Sequence, residues 1–277
     1  MSHKTLRQRT EGFGFMCYNI IMGYLLMFFV GAVGLILGSF LSVLVSRLDK
    51  KEGIIAGRSE CPHCFHKLAW YDLIPLFSFI FLGGRCRYCK SSVSPFYPLI
   101  EITTALVLTA YFLVNGFAFN LAAYYHVALL ILLISLMFFD ALYLLLPDKI
   151  LFTIGGITLG YGIFFKSEEI SRLFISGFLF ALGFAIIYLV SGGKAMGFGD
   201  VKLAFVIGLI LGYPLGFLAI ILATWAGALW GIGLMLFGKA TRKTALPFGS
   251  FLSATTIIFI IFSNDIQEKV NTIQYFF

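Results

Sequence analysis

Charge is what this sequence has least of. Only 12% of its 277 residues are Asp, Glu, Lys or Arg, about half the share found in soluble domains. Hydrophobic residues make up 60%, so the chain cannot clothe itself in a solvated surface and reads as an integral membrane protein. Other signatures are missing as well. There is no glycine-rich nucleotide fingerprint, no visible Ser-His-Asp set, and no second copy of Gly-x-Gly-Asp or of the paired cysteine knuckles. No small-residue cleavage site follows the first apolar run, which is therefore a retained signal anchor. The net charge of +7 sits largely in one inter-helix loop rather than along a face. It speaks for orientation in a lipid bilayer and not for nucleic acid.

What is present is a series of apolar runs, at about 18–45, 97–114, 121–139, 150–165, 173–190, 201–213, 216–237 and 248–263. They predict an all-α polytopic membrane protein of about eight transmembrane helices. The expected units are a first transmembrane helix (18–46), an insert (47–96), a membrane-embedded core (97–263) and a polar C-terminal tail (264–277). The run from Val201 is short, and Gly212-Tyr213-Pro214 breaks it; it starts nearer Met196 or stops within the bilayer. In the first run, Gly34, Gly38, Ser39 and Ser42 recur at helical spacing, as close helix packing requires.

Lys and Arg set the orientation. The insert (Arg47, Lys50, Lys51, Arg58, Lys67, Arg85, Arg87, Lys90), Lys194 with Lys202, and Lys239, Arg242 and Lys243 all fall on one side of an eight-span bundle. The excess of positive charge makes that side cytoplasmic. The basic tail (Lys4, Arg7, Arg9) runs against this rule. Either the insert outweighs it, or the natural start is Met16 or Met22 instead of Met1.

Within the insert, Cys61-Pro-His-Cys64 and Cys86-Arg-Tyr-Cys89 stand 21 residues apart. Each short turn presents two thiolates, and two such knuckles predict a closed tetrahedral zinc site that staples a segment with little core. Disulfides are disfavoured on the cytoplasmic side. His63 and His66 are spare, since four cysteines already fill the site.

Few carboxylates border apolar segments: Glu101, Asp140, Asp148 and Asp200. Asp148 follows Pro147 and suits a helix start. Asp200 lies in Gly197-Phe-Gly199-Asp200 and reads as a helix cap or a site. Asp140 falls at a helix C-terminus, where negative charge opposes the dipole, so capping does not explain it. On the predicted topology Asp140 and Asp200 share one membrane edge, where two aspartates can share a proton, activate water and protonate a leaving group. The glycines beside Asp200 would admit a substrate backbone. His126 lies about 20 Å away by helix rise.

Together the residues resemble the bacterial type IV prepilin peptidases, the bifunctional leader peptidase/N-methyltransferases. The resemblance rests on Gly38-Ser-Phe-Leu, the two cysteine knuckles, Ser94-Pro-Phe-Tyr-Pro-Leu-Ile-Glu101, Asp140 followed by Pro147-Asp148, and Gly197-x-Gly199-Asp200-Val-Lys202. It implies an enzyme of the bacterial inner membrane with its active site facing the cytoplasm. Such an enzyme cuts the basic leader from type IV prepilins or type II secretion pseudopilins and methylates the new N-terminus with S-adenosylmethionine. It also implies catalytic roles for Asp140 and Asp200, supporting roles for Asp148 and Glu101, and a zinc insert associated with the bifunctional form. Ser42, Lys194 and the apolar link between Asp140 and Asp148 depart from the usual pattern, but none removes a protease aspartate. Two alternatives stand beside this expectation: a peptidase without methylation, and a membrane transporter or assembly factor. A transporter should show internal repeats with broken helices, and none is visible.

Overall fold

The computed structural model describes residues 3–47, 59–165, 167–239, 241, 244–263 and 266. Met1, Lys50, Lys51, Arg58, Arg242, Lys243 and nearly all of the expected C-terminal tail lie outside them. The described residues form nine α-helices: α1 (His3–Arg47), α2 (Phe77–Phe81), α3 (Phe96–Asn115), α4 (Leu121–Tyr143), α5 (Asp148–Phe165), α6 (Ile170–Ser191), α7 (Phe198–Leu211), α8 (Leu215–Leu236) and α9 (Phe248–Ile261). A 3₁₀ turn, Trp70–Leu73, belongs to the insert. The α1 helix begins at His3, so the basic tail continues the helix of the first apolar run instead of preceding it.

The apolar runs beyond the insert become α3 to α9, punctuated by local chemistry. Asn120 caps α4, its side-chain oxygen accepting from the Ala123 N–H at 2.9 Å. Gly192, at φ +59°, closes α6 in the left-handed conformation that glycine enters without a Cβ penalty. Six of the helices, counting α1 from Ile21, are long and apolar enough to cross a membrane. The remaining two of the eight, α7 and α9, have 14 residues each and are about 21 Å long, short of a hydrocarbon core of about 30 Å. Both begin at the same end of the bundle, and a recess lies there.

Packing sorts the helices by depth. α4 buries Leu129, Leu130, Leu133, Ile134 and Leu136 completely, and it touches α9, α3, α5 and α1. α7 is apolar all round and buries Leu203, Ala204, Ile207 and Leu209, as a helix in the interior of a bundle should. α6, by contrast, buries only Ser176, Gly177 and Phe184. Its apolar side chains face outward, the expected solvent there being lipid.

Small residues allow the closest helix pairs, α1 with α3 and α6 with α7. A Cβ on Gly34 would stand 2.6 Å from the Ala105 Cα, and one on Gly38 would stand 2.6 Å from the Glu101 Cα. Gly208 meets Gly177 in the same way. Without a hydrophobic force between helices in lipid, this close approach supplies the dispersion contact that joins them. The helix that carries Asp200, α7, is held in this way against α6, while the helix that carries Asp140, α4, packs chiefly against α9.

Candidate active site

Asp140 is in the last turn of α4 and Asp200 in the first turn of α7, and both line one cleft of about 1020 Å³. Their exposures are 5% and 7%. Asp148, Gly197, Gly199 and Lys202 line the same cleft. The helix ends that the charge rule places on one side therefore do converge.

Each aspartate is held by backbone that the local sequence shapes. Gly197, in an extended conformation, is the N-cap of α7, so Asp200 is the third helical residue and not the cap. Its Oδ2 accepts from the Gly197 N–H at 3.2 Å. This satisfies one of the N–H groups a helix start leaves unpaired and aims the carboxylate along the N-terminal end of the dipole. Asp140 has the harder position, at the negative end of its own helix. The structure supplies the compensation from α9, whose first turn meets it. The Ser250 N–H donates to Asp140 Oδ2 at 2.7 Å, and the Ser250 hydroxyl lies 3.0 Å from the same oxygen and 2.8 Å from the Met137 carbonyl. The positive end of α9 thus offsets the negative end of α4.

Leu146 sets the spacing of these parts. A Cβ on Gly199 would meet the Leu146 Cβ at 3.0 Å, and one on Gly249 would meet Leu146 Cδ1 at 2.9 Å and the Asp140 Cγ at 3.1 Å. Leu146 packs directly on Gly199, so a side chain there would have to displace it. At Gly197 a Cβ would meet only ordinary contacts, the Asp200 Oδ2 at 3.8 Å and the Gly199 N at 3.9 Å. The apolar link between Asp140 and Asp148 also gains an explanation, since Leu146 is the plug between α7 and α9.

Asp148, the first residue of α5, differs from the other two acids. Its side chain is 53% exposed and accepts from Lys202 Nζ at 2.6 Å, and that ammonium also stands 5.3 Å from the Phe198 ring centroid. Glu101 is absent from the cleft; it lines a different cavity beside the insert. Sequence reasoning missed Ser250, Gly249 and Leu146. The signal for Gly249 and Ser250 was Pro247-Phe-Gly-Ser250 at the head of an apolar run, a helix start with a small polar residue in its first turn; that for Leu146 was the apolar link before Asp148.

The insert is built from two matching knuckles. The Phe65 N–H bonds to the Cys61 carbonyl at 2.9 Å, and the Lys90 N–H to the Cys86 carbonyl at 3.0 Å. Phe65 and Lys90 both take a positive φ, 54° and 61°. Leu68 N–H to Ser59 and Val93 N–H to Gly84 close the two turns at 2.8 Å each. The cysteines are free thiols, and their sulfurs all lie within 4.8 Å of one another, Cys61 and Cys89 at 3.8 Å. A tetrahedron with bonds of about 2.3 Å to sulfur has edges of about 3.8 Å, so the set fits zinc. Burial raises the Cys61 thiol, but hydrogen bonds from the Cys64 and His63 backbone and from Ser91 outweigh it and bring Cys61 down to about 6. Cys64 has a backbone hydrogen bond at His66 that lowers it, yet burial and the facing sulfurs push it up to about 11. Thiols crowded this way hold negative charge unevenly, and a divalent cation relieves it.

Residues 32–115 match the Bacterial Peptidase A24 N-terminal domain, and residues 127–232 match the Type IV leader peptidase family. The chain is 30% identical over 264 residues to a prepilin leader peptidase/N-methyltransferase of Pseudomonas aeruginosa, covering 85% of this chain and 90% of that protein. It is 33% identical over 247 residues to the protein of the same name in Bacillus subtilis, covering 84% and 93%. A third such protein, from Aeromonas hydrophila, is 32% identical over 265 residues, covering 84% and 90%. No solved structure matches.

Proposed function

The chain belongs to the type IV leader peptidase family, and from that premise we propose that it cuts the leader from prepilins or pseudopilins with Asp140 and Asp200. The observation that supports the assignment is the pair of buried carboxylates, one on α4 and one on α7, that line one cleft. Asp140 accepts two hydrogen bonds and faces the α9 N-terminus, so it is the carboxylate better provided for as an anion and takes the role of base. Asp200 carries the shared proton. Asp140 removes a proton from water as the oxygen attacks the scissile carbonyl, and Asp200 protonates the carbonyl oxygen. The C–N bond then breaks as the amine takes the proton from Asp140, and Asp200 recovers its own. Membership of a peptidase family also sets aside the transporter alternative.

Asp148 and Lys202 pair at the mouth of the cleft and hold α5 against α7 there. The substrate's apolar stretch lies against the outward-facing side chains Leu144 and Leu145 on the cleft wall. Its basic leader stays on the side of the insert, which the positive charge places in the cytoplasm of a bacterial inner-membrane protein. Zinc held by Cys61, Cys64, Cys86 and Cys89 fixes the insert and takes no part in hydrolysis. The relatives' shared name also supports methylation of the newly exposed N-terminus, for which S-adenosylmethionine is the donor.

The test uses membranes containing the full chain and a prepilin precursor. Asp140→Asn and Asp200→Asn should each lower leader removal at least about 10²-fold, the lower range of acid–base contributions, with the protein still present at normal amounts. Cleavage by either variant at the wild-type rate contradicts the dyad. Asp148→Asn should leave most activity in place.

A further inference from the structure

The insert carries an apolar stretch that neither knuckle uses. Residues 73–84 include no charged side chain, and a run of about 10–14 such residues is too short to cross a bilayer but suits a segment lying in its interface. The stretch divides by face. Leu73, Ser78, Phe79 and Leu82 line the cavity between the insert and the ends of α1 and α3. Trp70, Ile74, Phe77, Ile80 and Phe81 do not line it, and they are exposed, Trp70 by 78% and Phe81 by 85%. Phe77, Ile80 and Phe81 recur at helical spacing on one side of α2.

What covers the exposed face follows from where the stretch is held. Leu76, the residue before α2, takes a positive φ of 61°, which is uncommon outside glycine. The buried Glu101 carboxylate of α3 pins it there, Oε2 accepting from the Leu76 N–H at 2.7 Å. Glu101 lies five residues past Phe96, the start of α3, which is about 7.5 Å along the helix. The head of α2 is therefore level with the first two turns of α3, where α3 itself exposes Leu99 and Ile102. At the base of the stretch, Arg87 Nε donates to Asp72 Oδ1 at 2.7 Å and ties its two ends together.

We propose that residues 70–82 form an interfacial anchor, an apolar finger laid into the headgroup–acyl boundary of the leaflet on the insert's side. The proposal rests on the reading that α1 and α3 cross a bilayer. Trp70 and Tyr71 supply the amphipathic rings that settle at headgroup level, and Phe77, Ile80 and Phe81 supply the apolar face that enters the acyl boundary. The exposed Lys67, Arg85 and Lys90, which flank the finger in sequence, suit anionic headgroups. None of the finger's side chains lines the dyad cleft, which sets this face apart from the substrate's path. The knuckles thus fix the insert's own shape, while the finger fixes the insert to the membrane surface.

The chain has three tryptophans, Trp70, Trp225 and Trp230, and the experiment reads two of them in the full chain reconstituted into phosphatidylethanolamine/phosphatidylglycerol vesicles. One form keeps only Trp70 (Trp225→Phe, Trp230→Phe), and a control keeps only Trp225 (Trp70→Phe, Trp230→Phe), which is exposed in the middle of α8. Lipids brominated near the headgroup end of the acyl chain should quench Trp70 fluorescence about twofold or more, with little quenching by aqueous iodide. Adding Ile80→Glu and Phe81→Glu, both at exposed positions, should remove at least about half of that quenching and leave Trp225 unchanged. If lipids brominated deep in the chain fail to quench Trp225, the membrane reading fails and this proposal with it. If Trp225 is quenched while Trp70 stays open to iodide and untouched by brominated lipid, the anchor alone is overturned. It is also overturned if the paired glutamates leave Trp70 quenching unchanged. The same holds if Trp70 is shielded from iodide only when a prepilin precursor is added, or only in a cross-linkable dimer, because the face would then dock a substrate or a second copy.

Discussion

Ser250→Ala isolates the compensation that α9 gives to Asp140. The substitution removes the hydroxyl 3.0 Å from Asp140 Oδ2 and retains the backbone N–H at 2.7 Å. A hydrogen bond to a charged group contributes about 1.5–3 kcal/mol, and about 1.4 kcal/mol is a tenfold change in rate. The hydroxyl is shared with the Met137 carbonyl at 2.8 Å, and the N–H still serves the carboxylate, so the lower end of that range applies. The expected result is a fall of about tenfold in kcat for leader removal. KM should stay within about threefold, because Ser250 faces Asp140 and not the substrate. The assay is a time course of precursor cleavage in detergent at several substrate concentrations. Ser250→Thr, which keeps a hydroxyl, should recover much of the loss. Cleavage by Ser250→Ala within twofold of wild type would refute the reasoning, since Asp140 would then be supported by the N–H alone. A loss as deep as that of Asp140→Asn would refute it from the other side, by making the hydroxyl itself indispensable.

Two further outcomes follow from packing and metal binding. Gly249→Ala forces a methyl group to within 2.9 Å of Leu146 Cδ1 and 3.1 Å of the Asp140 Cγ, an overpacking worth about 1–3 kcal/mol. Cleavage should fall, and adding Leu146→Ala should restore part of it, because the two residues compete for one space; a double variant no better than the sum of the single losses contradicts this coupling. Metal analysis of the purified chain should find about one zinc per molecule, and Cys61→Ser or a strong chelator should remove it and expose the insert to protease. Leader removal should persist after zinc loss, since no cysteine lines the dyad cleft; parallel loss of zinc and cleavage would show the insert to be part of the peptidase site.

Much of the architecture was legible because the constraints of a membrane are written in composition. The eight apolar runs all appear as helices or as part of one, since a backbone in lipid must satisfy its hydrogen bonds within the segment. Knuckle spacing was enough to place four sulfurs together, because each Cys-x-x-Cys turn is local and only two turns had to meet. Span length was less legible. The break at Gly212-Tyr213-Pro214 marked α7 as short, but hydropathy did not tell α9, also of 14 residues, from a full span.

By itself the sequence determined the membrane class, the metal knuckles and the pairing of Asp140 with Asp200 as candidates, because each depends on residue type at short range or on charge counted by side. Tertiary structure alone decided how an aspartate survives at the wrong end of α4. The answer is the first turn of α9, 110 residues further along the chain, and no local pattern could announce it. It also decided that Leu146 packs on both Gly199 and Gly249, and that Glu101 faces a cavity of its own. Those three facts depend on which helices become neighbours, and that is settled by close packing of small residues summed over the whole bundle, not by any one segment.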